Sequence, residues 1–106
     1  MVQIALHTVL KPGAEEEYER THNLQPLEMT QLLRKAGVRT WRIYRDGIHL
    51  FHVIEVDDPE TMRQILASDP INTAWDNVMS GFVARAPQWS EAIDVLRLVW
   101  AIPDSK

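Results

Sequence analysis

Val2, Ile4 and Leu6 stand against Gln3, Ala5 and His7, a period of two that predicts a strand over residues 2–10. Pro12 and Gly13 close it. From Ala14 to Ala36 the period lengthens to that of a helix, and Gly37 is placed to end it as the C′ residue. Pro26 removes one backbone donor, so a kink or two abutting helices are expected near residues 22–26. Arg39 to Arg45 and Ile48 to Val56 are rich in β-branched and aromatic residues and read as strands. Asp46-Gly47 between them predicts a hairpin, because glycine supplies the positive φ of a tight turn. Asp58-Pro59-Glu60 and Asp69-Pro70 each set an N-cap before a proline at the first helical position. They predict helices over about residues 59–67 and 70–79. A last apolar run, Ala92 to Ala101, reads as the final strand.

The resulting order, β-α-β-β-α-(α)-β, is the split βαβ plan: an α+β, ferredoxin-like βαββαβ sandwich. Its helices cover only one face of an antiparallel sheet. A sheet with one wet face alternates cleanly. Here Ile48, Leu50 and Ile54 oppose Phe51 and Val53, and Ile93, Val95 and Val99 oppose Leu96, Leu98 and Trp100. Something must cover the second face. A second copy packed sheet to sheet is the simplest cover, which predicts a homodimer.

Composition narrows the picture. With 106 residues, 45% of them hydrophobic, the chain has material for one packed domain, residues 1–106, and too little for two. The net charge is −4 and the basic residues are scattered, which argues against nucleic acid. There is no cysteine for disulfides or thiolate metal sites, which fits a cytoplasmic location. MVQIALHTVL is too short and too polar for a signal peptide or a membrane span. His7, His49 and His52 lie on neighbouring strands, but His49 and His52 have opposite parity and cannot share one ion. No physiological metal is expected. No phosphate loop, nucleophile elbow or nucleophilic cysteine is present, which leaves proton transfer as the main enzymatic option.

Candidate groups for that chemistry sit in the first helix. A step of 3.6 residues from Tyr18 meets His22, Gln25, Met29, Leu32 with Leu33, and Ala36. The C-terminal half of that stripe is a core face, and Tyr18 and His22 extend it to where the core opens. A histidine there is either a packed, hydrogen-bonded core residue or a partly buried imidazole that moves protons. Trp41, on a strand, and Trp75, on the late helix, read as core aromatics or as the wall of a sugar pocket. Trp89 and Trp100 read as packing.

The segment EEEYERTHN (residues 15–23), with AGVRTWRIYRD, LFHVIEV, the DP and AWDNVM of the late helix and the terminal LRLVW, resembles the L-rhamnose mutarotase family over nearly the whole chain. The resemblance implies a chain that dimerises as an α/β barrel and interconverts the α and β anomers of L-rhamnose without a cofactor. It implies that His22 is the proton donor and Tyr18 a sugar-binding residue. The family usually has a sugar-contacting tyrosine at the strand position of Trp41. It usually has two adjacent tryptophans on the late helix, where this chain has Ala74 and Trp75. The resemblance thus makes Trp41 and Trp75 the expected substrate-binding aromatics, in a sugar-facing wall that lacks one ring and one phenol of the family's, so the expected substrate is L-rhamnose or a related pyranose. Asp76, beside Trp75, is a candidate for the complementary base by proximity. Two other classes stay open: a cofactor-free oxygenase or dehydratase on the same dimeric barrel, and a non-catalytic binding module.

Overall fold

A computed structural model describes residues 1–103. Strand β1 (Val2–Leu10) is followed by helices α1 (Glu15–His22) and α2 (Leu27–Lys35), strands β2 (Val38–Asp46) and β3 (His49–Val56), helices α3 (Pro59–Ser68) and α4 (Pro70–Met79), and strand β4 (Val83–Arg85). The strands form one antiparallel sheet in the order β2-β3-β1-β4, the ferredoxin-like arrangement.

Local chemistry places most of these boundaries. Asp58 and Asp69 accept the amides of Glu60 and Ile71, with Pro59 and Pro70 in the first turns, where no amide donor is needed. Gly47, at φ +60°, turns the β2–β3 hairpin, and the Arg45 guanidinium holds its carbonyl at 2.9 Å. Pro26 separates α1 from α2, as its missing amide requires, yet the inward stripe survives the break: Tyr18, Met29, Leu32 and Ala36 are all buried.

The fourth strand is not where the apolar run suggested. Residues 92–101 form no strand, and the sheet is completed by Val83–Arg85. That short strand reaches the free edge of β1 directly after α4, pairing Val9 with Arg85 and Leu10 with Val83 across an irregularity in register. The later run touches the same edge through one bond, the Leu96 amide to the Ala5 carbonyl at 2.7 Å. Apolar composition makes a strand only where a ladder of partners exists. Val95, Leu96, Leu98, Val99, Trp100 and Ile102 remain exposed, so Trp100 is not a packing residue of this chain.

The inner face of the sheet carries the core in two parts. Leu6, Ile54 and Val56 pack under α2 and α3, against Met29, Leu32, Met62 and Leu66. Leu10 and Leu50 pack with Tyr18 and Met79 of α1 and α4. Between them the sheet presents Thr8 and His52, both buried. Trp75 touches both clusters. The outer face carries Tyr44, Phe51, His7 and His49. His7 stacks on both Phe51 and His49, and Tyr44 and Phe51 are exposed.

Candidate active site

The gap between the two half-cores is a cavity of about 310 Å³, within the size range of small-molecule sites. Its floor is polar. Trp41, Ile43 and His52 project inward from paired positions of β2 and β3, because Trp41 pairs with Ile54 and Ile43 with His52. The Trp41 indole N–H donates to His52 Nδ1 at 3.1 Å, and His52 Nε2 lies 2.9 Å from Thr8 Oγ1. An indole can only donate, so Nδ1 is the acceptor and Nε2 carries the ring proton, which it gives to Thr8. A second proton on Nδ1 would set two donors against each other. Burial, reinforced by the neighbouring His22 and His7, pushes His52 down to about 4, so the ring is neutral at physiological pH.

Helix α1 supplies one wall. Tyr18 and His22 lie one turn apart with ring centroids separated by 5.6 Å. Tyr18 is buried, which raises its phenol to about 12 and keeps it protonated. His22 also lines the cavity, and burial lowers its pKa against the opposing pull of a backbone hydrogen bond. Helix α4 supplies the facing wall. Trp75 meets His22 edge to face at 5.5 Å, and Asp76, the next residue, also lines the space. Burial raises the Asp76 carboxyl, while the Trp89 indole and the Asn72 amide, 3.3 Å from Oδ2, pull it the other way. Asn72 is itself buried and fixed by donating to the Leu66 carbonyl at 2.9 Å.

The cavity thus brings together Tyr18, His22, Trp41 and Trp75, the residues singled out from the sequence, along with Asp76. It also includes Trp89. Trp89 lies at a ring-centroid distance of 6.3 Å from Trp41, at a steep interplanar angle, and its carbonyl accepts from Arg63 at 2.7 Å. Arg63 is tied in turn to Glu60. An aromatic in a loop just after Pro87 was the available signal. His52 was legible only as an inward histidine between Leu50 and Ile54. His7 and His49 lie on the outer face, where Arg85 donates to His7 Nδ1 at 3.0 Å and His7 Nε2 meets His49 Nδ1 at 2.9 Å. Among the described residues, no three His, Cys, Asp or Glu side chains are grouped to hold a metal ion, and no helix is long and apolar enough to cross a membrane.

A ferredoxin-like chain whose helices enclose an aromatic-walled cavity, with imidazole and carboxyl groups inside, defines a small α+β protein equipped for acid–base work on a compact ligand. The family model for L-rhamnose mutarotase matches residues 3–102, and the chain belongs to that family. It is 33% identical over 105 residues to the L-rhamnose mutarotase of Burkholderia ambifaria, covering 97% of this chain and all of that one. It is 38% identical over 78 residues to that of Paraburkholderia phytofirmans, covering 72% and 73% of the two chains. Among solved structures, an L-rhamnose mutarotase from Formosa agariphila superposes with a TM-score of 0.79 at 24% identity, over 97% of this chain and all of the other. The tetracenomycin F2 cyclase of Streptomyces glaucescens shares the fold, with a TM-score of 0.66 at 18% identity over the same shares of the two chains.

Proposed function

We propose that this chain is a cofactor-independent mutarotase that interconverts the α and β anomers of L-rhamnose or a related pyranose, with His22 and Asp76 as its acid–base pair. The observation that carries the reading is the meeting of Tyr18, His22, Trp75 and Asp76 around one cavity of monosaccharide size. Burial lowers the imidazole and raises the carboxyl, so the proton affinities of the two groups converge. Mutarotation runs both ways at little net cost, which suits an acid and a base whose proton affinities are drawn toward each other. Starting with the proton on His22, the imidazolium protonates the ring oxygen and the C1–O5 bond breaks. The Asp76 carboxylate takes the anomeric hydroxyl proton as C1 becomes a carbonyl. After the carbonyl turns its other face, O5 attacks C1 and returns its proton to His22, while Asp76 protonates the carbonyl oxygen. No covalent intermediate forms and no cofactor takes part.

Tyr18 holds a sugar hydroxyl and orients the ring, and the rings of Trp41 and Trp75 give apolar surface to its C–H faces. The enzyme works as a single cytoplasmic domain in a homodimer. Exposed Tyr44 and Phe51 on the outer sheet face, with the apolar residues 95–102 beside β1, support a second copy as the cover.

Saturation transfer between the α and β H1 resonances of L-rhamnose reads the exchange at equilibrium. Micromolar protein accelerates it. His22→Ala lowers the rate about 10²-fold or more, as removal of a positioned acid does. Asp76→Asn falls in the same range, and Tyr18→Phe loses less. A folded His22→Ala variant as active as wild type removes the assignment.

A further inference from the structure

Trp41, Ile43 and Arg45 share one face of β2, and the first two line the cavity. Arg45 continues the row past the cavity's edge, paired with the buried Leu50 of β3. Its Nε donates to Glu19 Oε2 of α1 at 2.6 Å, and its Nη1 donates to the Gly47 carbonyl at 2.9 Å. The second bond anchors the guanidinium to the hairpin turn, so the first ties α1 to the sheet. A cleft runs beside this tie, and Tyr18, His22 and Ile43 line both the cleft and the cavity.

Helix α1 has few other attachments. It is eight residues long, no side chain caps its start at Ala14, and Pro26 parts it from α2. A helix that short does not hold itself in place. It sinks one side chain into the core, Tyr18, which packs with Leu10, Leu50 and Met79. Held at that point alone, α1 could turn about it, and His22, one turn further on, would swing away from Trp75. An exposed ion pair ordinarily contributes little. This one supplies a second point of attachment.

We propose that Arg45 is a positioning residue for the acid–base step: braced on the Gly47 carbonyl, it holds Glu19 and so fixes α1 with the His22 ring aimed into the cavity. The proposal rests on the mutarotase reading. Arg45 lies outside the cavity lining and acts through Glu19 and the helix. Tyr18 is anchored by its own packing, so its hold on the sugar survives loss of the brace while the aim of His22 does not. The brace therefore bears on turnover more than on affinity.

Polarimetry of freshly dissolved α-L-rhamnose separates the two. Arg45→Ala and Glu19→Ala are each expected to lower kcat about two- to fivefold, the upper end for an exposed pair, with KM within about twofold of wild type. The double variant loses no more than either single one, because the two side chains act as one tie. Exchanging the charges, with Glu19→Arg and Arg45→Glu together, restores most of the rate. A merely structural role would lower the unfolding midpoint and leave kcat per folded molecule unchanged. A second measurement needs no substrate. Burial holds the His22 ring below its ordinary value, so a loosened α1 lets it rise in an NMR titration. It rises in both single variants, whereas loss of charge alone would raise it in Arg45→Ala and lower it in Glu19→Ala. Unchanged kcat in both folded variants, additive losses, or His22 titrations that move in opposite directions overturn the proposal while the mutarotase reading stands. A wild type that accelerates no pyranose removes that reading, and the His22 titration then decides the brace by itself.

Discussion

His52 couples the pocket to acid stability. In an unfolded chain a histidine takes up its proton near 6.5, whereas in the fold His52 does so only near 4. Between those values the unfolded state binds more protons, so stability falls as pH falls. Above 6.5 neither state carries the extra proton, and this contribution is complete. The linked loss amounts to about 3 kcal/mol by pH 4. His22, lowered in the same direction, adds to the slope with the same sign. Urea titrations from pH 8 to pH 4 should show the wild type losing more stability than His52→Gln, with the difference opening only below 6.5. Parallel curves for the two proteins would mean that the ring charges in place without cost.

Among the elements, those built by local rules could be read in advance. The aspartate caps, the prolines that follow them, the Asp46-Gly47 turn and the break at Pro26 each act within a few residues, and each sits where the sequence placed it. Asp69→Ala should cost about 1 kcal/mol of stability in denaturant titration, because the Ile71 amide loses its acceptor at the entry to α4. Strand β4 could not be read, because three residues at an irregular register leave no periodic trace. The run 92–101 had the composition of a strand but only one bond to the sheet edge. The site divides in the same way. Tyr18 and His22 share a wall because helical spacing stacks them, which a sequence displays. Trp41, His52, Thr8 and Trp89 meet across three strands and a distant loop, and only tertiary pairing brings them together.

At the scale of the whole molecule, one face of the sheet carries the helices and the other exposes Tyr44 and Phe51. Sedimentation equilibrium at micromolar concentration should return about twice the 12.2 kDa chain mass. Phe51→Glu, which sets a charge in the middle of the outer face, should shift the equilibrium toward single chains. A wild-type monomer at that concentration would leave the apolar outer face without its proposed cover. The inner face has a different incompleteness. Its apolar packing is interrupted at Thr8 and His52, and the two half-cores meet chiefly through Trp75. On the proposed function a sugar held there touches both, so it acts as the keystone of an arch as well as cargo. Occupancy and rigidity then rise together. On that reading the empty enzyme is the less stable form, and the supply of substrate bears on how long each molecule lasts.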